Sequence, residues 1–177
     1  MLGYGIALLP FLLVMKEWDQ IEVTTHSLLW IISCCLLVRV LLLLVPPILS
    51  EDLWRYIWDG SLQWHGQNPY TYAPADSNLD QVTESAQLEH VRSQIGHAHI
   101  PTIYPPAAQA SFVLATALCP SQILLRLTMI LADVSIVTTL WFWAKHRDVH
   151  PGISAVYGFL PLSVIESSVG GHVDSVG

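Results

Sequence analysis

The stretch from Ser50 to Tyr70, SEDLWRYIWDGSLQWHGQNPY, decides how the rest of the chain is arranged. At helical spacing it divides into an apolar face and a polar face. The apolar face carries Leu53, Trp54, Ile57, Trp58 and Leu62, and the polar face carries Asp52, Arg55, Tyr56, Asp59 and Gln63. A Trp-rich amphipathic helix directly after an apolar run is predicted to lie at the membrane interface, with its polar face toward the molecule on which the protein acts. The alternative is a juxtamembrane helix that only anchors the preceding span.

The composition is that of a multi-pass membrane protein. Of the 177 residues, 53% are hydrophobic and only 12% are charged, and the mean hydropathy is +0.49, far from a soluble average. The net charge of −7 argues against a nucleic-acid partner, because such binding needs a basic surface. The three cysteines, Cys34, Cys35 and Cys119, lie in apolar surroundings, so we interpret them as small buried hydrophobic residues.

Two stretches, Leu28–Leu49 and Gln122–Ala144, are predicted to be full membrane spans. Leu2–Met15 is shorter than the roughly twenty residues that a span needs, so it is either a short tilted span or a helix packed against the others. Ile153–Val169 is predicted to be the last span, and Ala107–Cys119 to be a second juxtamembrane helix.

These elements predict an all-α, polytopic transmembrane protein with a large external loop that bears interfacial helices. Residues 1–49 hold the N-terminal apolar segment and the first clear span, and residues 50–120 form the external loop with its juxtamembrane helices and acidic site. Residues 121–177 hold two spans and a second external loop, GHVD. Lys145–Arg147 is the densest basic spot, and positive charge marks the cytoplasmic side. Both loops are therefore expected on the non-cytoplasmic side.

Three ionisable residues, Arg39, Asp133 and Glu166, lie inside apolar stretches. A charge in the bilayer costs a few kcal/mol on insertion scales and needs a partner. Because Arg39 and Asp133 both lie near mid-span, we predict that they form an ion pair. Such a pair is structural in one interpretation. In the other it marks a transport path, so a membrane transporter is an alternative function.

The adjacent acids Glu51 and Asp52 suit proton abstraction at a membrane surface. Asp52 shares a helix face with Arg55, whose guanidinium is placed to hold a phosphate. The alternative is an ordinary acidic first turn. His90, His97 and His99 match no strong zinc-ligand spacing, so we interpret them as loop histidines. His172 and Asp174, by contrast, lie just after an apolar stretch beside two glycines that permit close approach of a ligand.

The order of motifs along the chain resembles that of a family of membrane glycosyltransferases. The motifs that follow the first span are SEDLWRYIWDG (50–60), HGQNPYTYAP (65–74), HIPTIYPPAAQASF (99–112) and LPLSVIESSVGGHVDS (160–175). In this order they resemble the bacterial multi-pass glycosyltransferases of the GT-C superfamily, and more closely the polyprenyl-phosphate-dependent mannosyltransferase-like group, glycosyltransferase family 87. The resemblance covers about Ser50 to Asp174, and its motifs are specific only in combination.

The resemblance implies transfer of a hexose, with mannose expected, from a polyprenyl-phosphate donor to the hydroxyl of a glycan or lipid acceptor. It implies inversion at the anomeric carbon, and an active site on the non-cytoplasmic face of the plasma membrane. The scheme needs no cofactor and no metal.

The resemblance also assigns residues to the reaction. Asp52 is the catalytic base that it implies, with Glu51 as the alternative. Arg55 and Tyr56 match an R-Y pair expected near the donor phosphate or the acceptor, and His97 matches a histidine that precedes P-T-I-Y-P-P. The substrate-binding residues that it implies are Arg55, Tyr56, His97, Tyr104, His172 and Asp174.

One departure from the family concerns length. Relatives continue beyond G-H-x-D with several more spans, whereas this sequence stops at Gly177. The chain is therefore expected to be a fragment or a truncated reading frame. An inactive remnant of a glycosyltransferase is then a further alternative to a working enzyme.

Overall fold

The computed structural model describes residues 2–47 and 51–173, and within these ranges the chain is helical and contains no strand. The all-α prediction is therefore confirmed for the described residues. The α-helices in chain order are α1 (Leu2–Glu17), α2 (Thr25–Leu42), α3 (Asp52–Trp64), α4 (Ala86–Ser93), α5 (Pro106–Thr116), α6 (Gln122–His146), α7 (Ile153–Gly158) and α8 (Pro161–Ile165). Shorter 3-10 segments lie at Trp18–Gln20 and Ser77–Glu84, and a π-helical turn lies at Glu166–Gly170.

The chain divides into two compact units. Among the described residues, the span unit consists of residues 2–47 with 129–173, and the loop unit consists of residues 51–128. Of the described helices, α2 and α6 are long and apolar enough to cross a membrane, as judged by length and composition. They overlap the two stretches predicted as full spans.

Helix α2 is shifted toward the N-terminus relative to the predicted span. It begins after Thr24, whose hydroxyl accepts a hydrogen bond from the backbone N–H of Ser27 at 3.0 Å, as an N-cap residue does. It ends at Leu42, shortly before Pro46 and Pro47, which have no backbone N–H to continue the helical ladder.

The predicted last span, Ile153–Val169, is not one continuous helix. Helix α7 ends at Gly158, and Leu160 has a ψ of 119° before α8 starts at Pro161. The residue before a proline avoids the α conformation, and the proline itself lacks a donor. The remainder is the π-helical turn, which is followed by Gly171 with a left-handed φ of 64°. The apolar run alone does not show this interruption.

A buried ion pair between Arg39 and Asp133 lies in the span unit. Both side chains are almost fully excluded from solvent. Asp133 also accepts hydrogen bonds from the hydroxyls of Tyr157 at 2.6 Å and Ser163 at 2.9 Å. Arg39 donates a further hydrogen bond to the carbonyl oxygen of Gly158 at 2.7 Å. Each charge is thus surrounded by partners, as a low-dielectric environment requires.

Helix α3 is the centre of the loop unit. It packs against α5 at a very short distance, because a Cβ atom at Gly60 would lie only 2.3 Å from the carbonyl oxygen of Phe112. On its polar face, which is predicted to be turned toward the molecule on which the protein acts, Arg55, Tyr56 and Asp59 are buried. They contact α5 and the loop before it, which cover that face.

The rest of the loop unit leads the chain from α3 to α5. Ser85 caps α4, with its hydroxyl accepting from the backbone N–H of Leu88 at 3.2 Å. Residues 101–105 have no regular secondary structure, Pro105 has an extended backbone with a ψ of 160°, and α5 starts at Pro106. Proline is well accommodated in the first turn of a helix, where the missing donor would be unpaired in any case.

Candidate active site

A cavity of about 360 Å³ lies in the loop unit, between the first turns of α3 and the loop that precedes α5. Five residues that the sequence predicts to be functional line it, although they are up to 53 positions apart in the chain. The lining residues are Glu51, Asp52, Arg55, Gly96, His97, Ile100, Pro101, Ile103 and Tyr104. The cavity therefore combines acidic, cationic, aromatic and apolar groups.

The two acids lie at the N-terminal end of α3. Glu51 is exposed and Asp52 is half-buried, and both line the cavity although successive helical side chains diverge by about 100°. Negative charge is favoured in this first turn by the helix dipole. The carboxylate of Glu51 lies beside Gly96, where a Cβ atom would come within 3.0 Å of Oε2. A glycine at position 96 therefore leaves room for this carboxylate.

Arg55 brings a positive charge to the cavity wall. Its Nε donates to Asp59 Oδ1 at 2.9 Å, and its Nη1 donates to the carbonyl oxygen of Ile100 at 3.0 Å. The third nitrogen, Nη2, is buried and has no hydrogen-bond partner among the described residues. A buried donor without an acceptor is rare in folded proteins, and it often indicates a group that a ligand, ion or water satisfies.

Asp59 and Gln109 form a polar network behind Arg55. Asp59 is 1% exposed, and its Oδ2 accepts from Gln109 Nε2 at 3.0 Å. Gln109 Nε2 also donates to the hydroxyl of Thr102 at 2.9 Å, and its Oε1 accepts from Gln63 Nε2 at 2.8 Å. Burial raises the pKa of the Asp59 carboxyl above its ordinary value, although the Arg55 charge and these hydrogen bonds oppose the shift.

The sequence pattern places Asp59 on the polar face of α3 but predicts no role for it, and none for Gln109 or Thr102. The spacing of four residues between Arg55 and Asp59 is a signal that could have identified their ion pair. Gln109 is 50 residues away from Asp59 in the chain, and no local pattern indicates that contact.

The two tyrosines of the predicted site have different positions. Tyr104 lines the cavity, and burial raises the pKa of its phenol above the ordinary value. Tyr56 is 1% exposed and lies behind it, with ring centroids 4.9 Å from Tyr104 and 4.5 Å from Phe112. Tyr56 therefore supports the Tyr104 side of the cavity and does not itself line it.

The three histidines of this region have separate surroundings. His97 lines the cavity and has a left-handed φ of 53°. Its ring lies edge-on to that of His99 at 6.1 Å, while His90 packs edge-on against Trp54 at 5.4 Å. Across residues 2–47 and 51–173, no group of three or more His, Cys, Asp or Glu residues could hold a metal ion.

His172 belongs to the span unit. Its Nε2 lies 3.7 Å from Glu166 Oε2, and its backbone N–H donates to the carbonyl oxygen of Glu166 at 3.0 Å. The left-handed Gly171 directly before it makes this turn possible. Asp174, the other predicted residue of the G-H-x-D motif, lies outside the described residues.

No curated protein and no solved structure matches the chain. The sequence model of a protein family, described as alpha-(1->6)-mannopyranosyltransferase, N-terminal domain, matches residues 1–177. This finding supports the predicted glycosyltransferase and the prediction that the chain corresponds to an N-terminal part. Because the match covers the whole sequence, the chain belongs to the MptA_B family of mannosyltransferases and carries a hexosyltransferase domain.

Proposed function

We propose that this protein transfers a mannosyl residue from a polyprenyl-phosphate donor to a hydroxyl group of a glycan or lipid acceptor, with inversion of the anomeric configuration. The observation that carries the proposal is the cavity of the loop unit, where Asp52 and Glu51 lie beside Arg55. A base and a cation at one cavity are the two groups that displacement of a phosphate by a hydroxyl requires.

In the proposed mechanism Asp52 removes the proton from the acceptor hydroxyl. The acceptor oxygen then forms a bond to the anomeric carbon from the side opposite the phosphate, which inverts the configuration. The bond between the anomeric carbon and the phosphate oxygen breaks, and its electron pair leaves with the lipid phosphate. Arg55 stabilises the charge that develops on this phosphate.

Two features of the cavity support these assignments. The buried Nη2 of Arg55 has no acceptor among the described residues, and a phosphate oxygen in the cavity would supply one. The lining also includes Ile100, Pro101 and Ile103, and Ile103 is 80% exposed. An exposed apolar side chain beside a charged pocket suits a ligand that has a charged head and a hydrocarbon chain.

The proposal includes a multi-pass arrangement in the plasma membrane. Residues 50–120 form an external loop with interfacial helices, and the active site lies on the non-cytoplasmic side. The two apolar helices α2 and α6 support the membrane location. Lys145 in the last turn of α6 and Arg147 directly after it support the orientation. His172 and Asp174 are proposed as substrate-binding residues on the strength of the G-H-x-D resemblance alone.

A donor comparison tests this function. The protein is expressed from its natural reading frame and reconstituted in liposomes. It is then supplied with labelled mannose that is linked either to polyprenyl phosphate or to a nucleoside diphosphate. We expect label to reach the acceptor only from the lipid-linked donor, with the opposite anomeric configuration in the product. Transfer only from the nucleotide donor, or retention of configuration, would overturn the proposal.

A further inference from the structure

We infer that Asp59 is a positioning residue for the transfer reaction, which holds the Arg55 guanidinium in the orientation that binds the donor phosphate. The inference rests on the proposed function, because it assigns Asp59 to the cavity where the phosphate is expected to leave. Asp59 does not line that cavity, so it acts through Arg55 and not on the substrate.

The orientation of Arg55 is fixed at two points. Asp59 Oδ1 accepts from Nε, and the carbonyl oxygen of Ile100 accepts from Nη1. Because the guanidinium is planar and rigid, these two hydrogen bonds fix its plane and leave Nη2 as the nitrogen without a partner among the described residues. Since Asp59 is one helical turn from Arg55 on the same rigid helix, it is well placed to hold that side chain.

The network requires a carboxylate at position 59. Asp59 accepts hydrogen bonds on both oxygens, from Arg55 Nε and from Gln109 Nε2. The Gln109 amide cannot flip to exchange its oxygen and nitrogen, because its Oε1 accepts from Gln63 and its Nε2 donates to Thr102. An asparagine would therefore present its NH₂ group to a donor on one side, either at Arg55 or at Gln109.

The direction in which Asp59→Asn changes the affinity for phosphate shows whether Asp59 acts by orienting Arg55 or only through its charge. Asp59→Asn removes a negative charge close to Arg55, and this charge effect alone would strengthen phosphate binding. Loss of orientation would weaken it, since Nη2 would no longer be held toward the ligand. If Asp59 had a purely structural role, Asp59→Asn would lower the yield of folded protein but would leave the phosphate affinity of the folded molecules unchanged.

The experiment measures the binding of sugar-free polyprenyl phosphate to the protein in lipid nanodiscs, through its tryptophan fluorescence. The variants are Asp59→Asn, Arg55→Gln and the two combined. Asp80→Asn is the matched control, because Asp80 also accepts from an arginine, Arg92 Nη1 at 2.8 Å, in the same unit but does not line this cavity.

We expect Asp59→Asn to raise the Kd by at least about tenfold, the effect of losing one charge-assisted hydrogen bond. In the Arg55→Gln background the same change should have no further effect, and Asp80→Asn should bind like the wild type. Unchanged or tighter binding by folded Asp59→Asn would overturn the inference. The inference would also be overturned if Asp59→Asn raised the Kd as much in the Arg55→Gln background as in the wild type.

A second variant covers the case in which Asp59→Asn does not fold. Gln109→Met removes the amide that holds Oδ2 of Asp59 but keeps a side chain of similar length, and we expect it to raise the Kd by a factor of about three. Wild-type affinity of this variant would then count against the inference.

The binding readout keeps the two proposals separate. If the wild type binds polyprenyl phosphate with the predicted dependence on Asp59 but does not transfer mannose, the proposed reaction is wrong and the positioning role stands. If mannose transfer occurs but Asp59→Asn changes neither the Kd for polyprenyl phosphate nor the KM for the donor, the positioning role is wrong and the reaction stands.

Discussion

The guanidinium of Arg55 and the carboxylate of Asp59 form an ion pair one helical turn apart, with Nε and Oδ1 at 2.9 Å, in the interior of the loop unit. The carboxylate faces a network of amides and a hydroxyl, whereas the arginine lines a cavity with two further acids. The same pair therefore contributes to the packing of α3 and to the electrostatics of the candidate active site.

The buried Asp59 carboxyl predicts a dependence of stability on pH. Burial raises its pKa in the folded protein, so between the ordinary value of about 3.9 and the raised value the folded state binds more protons than the unfolded chain. The stability that this group contributes is therefore fully present below about pH 4 and is lost as the pH rises through the raised value.

Thermal unfolding of the wild type and of Asp59→Asn in detergent, from about pH 4 to about pH 8, measures this dependence. As the pH rises, the melting temperature of the variant should improve relative to that of the wild type. A difference that stays constant over this range would show that Asp59 does not titrate with a raised pKa.

The close approach of α3 and α5 predicts a low tolerance for side chains at Gly60. A Cβ atom there would lie 2.3 Å from Phe112 O and 2.6 Å from Thr116 Oγ1, so the helices must separate. We expect Gly60→Ala to lower the free energy of unfolding by about 1–3 kcal/mol, measured by denaturant titration.

Gly66 provides the control for this substitution. It has a left-handed φ of 71° and open space around its Cα atom, and asparagine tolerates that conformation. We therefore expect Gly66→Asn to be less destabilising than Gly60→Ala. Equal stability of Gly60→Ala and the wild type would mean that α3 and α5 do not pack as closely as the structure shows.

The buried pair of Arg39 and Asp133 predicts strong non-additivity. Arg39→Leu alone leaves a carboxylate buried in the span unit and should destabilise the protein by about 3–5 kcal/mol. Arg39→Leu combined with Asp133→Leu removes both charges and should be less destabilising than the single change. Unfolding of the wild type, Arg39→Leu, Asp133→Leu and the double variant in mixed micelles gives the coupling energy, and simple additivity of the two substitutions would contradict the ion pair.

The sequence predicts the helical elements for physical reasons that are local, whereas it predicts much of the cavity lining only through the family resemblance. The apolar runs that become α2 and α6 are long enough to identify without tertiary information. The motif order indicates the acids, Arg55, His97 and Tyr104, and the structure brings these residues to one cavity. Their functional roles stay predictions.

What the sequence does not predict depends on contacts between distant segments. The polar face of α3 is typical of an exposed helix, but Gly60 lets α5 approach and Gln109 satisfies Asp59. Burial of a polar face is possible only when such partners are present. Similarly, the run at Ile153–Val169 has the length of a span, and only the backbone at Leu160 and Pro161 shows where it is interrupted.

The most direct test of the central claim is the rate of mannose transfer from polyprenyl-phosphate mannose by Asp52→Asn, beside the wild type and Asp80→Asn, at equal amounts of folded protein in liposomes. If Asp52 is the base, its substitution should lower the rate by roughly a hundredfold to ten-thousandfold, and Asp80→Asn should transfer like the wild type. Transfer by Asp52→Asn at the wild-type rate would contradict the account and remove this carboxylate from the mechanism.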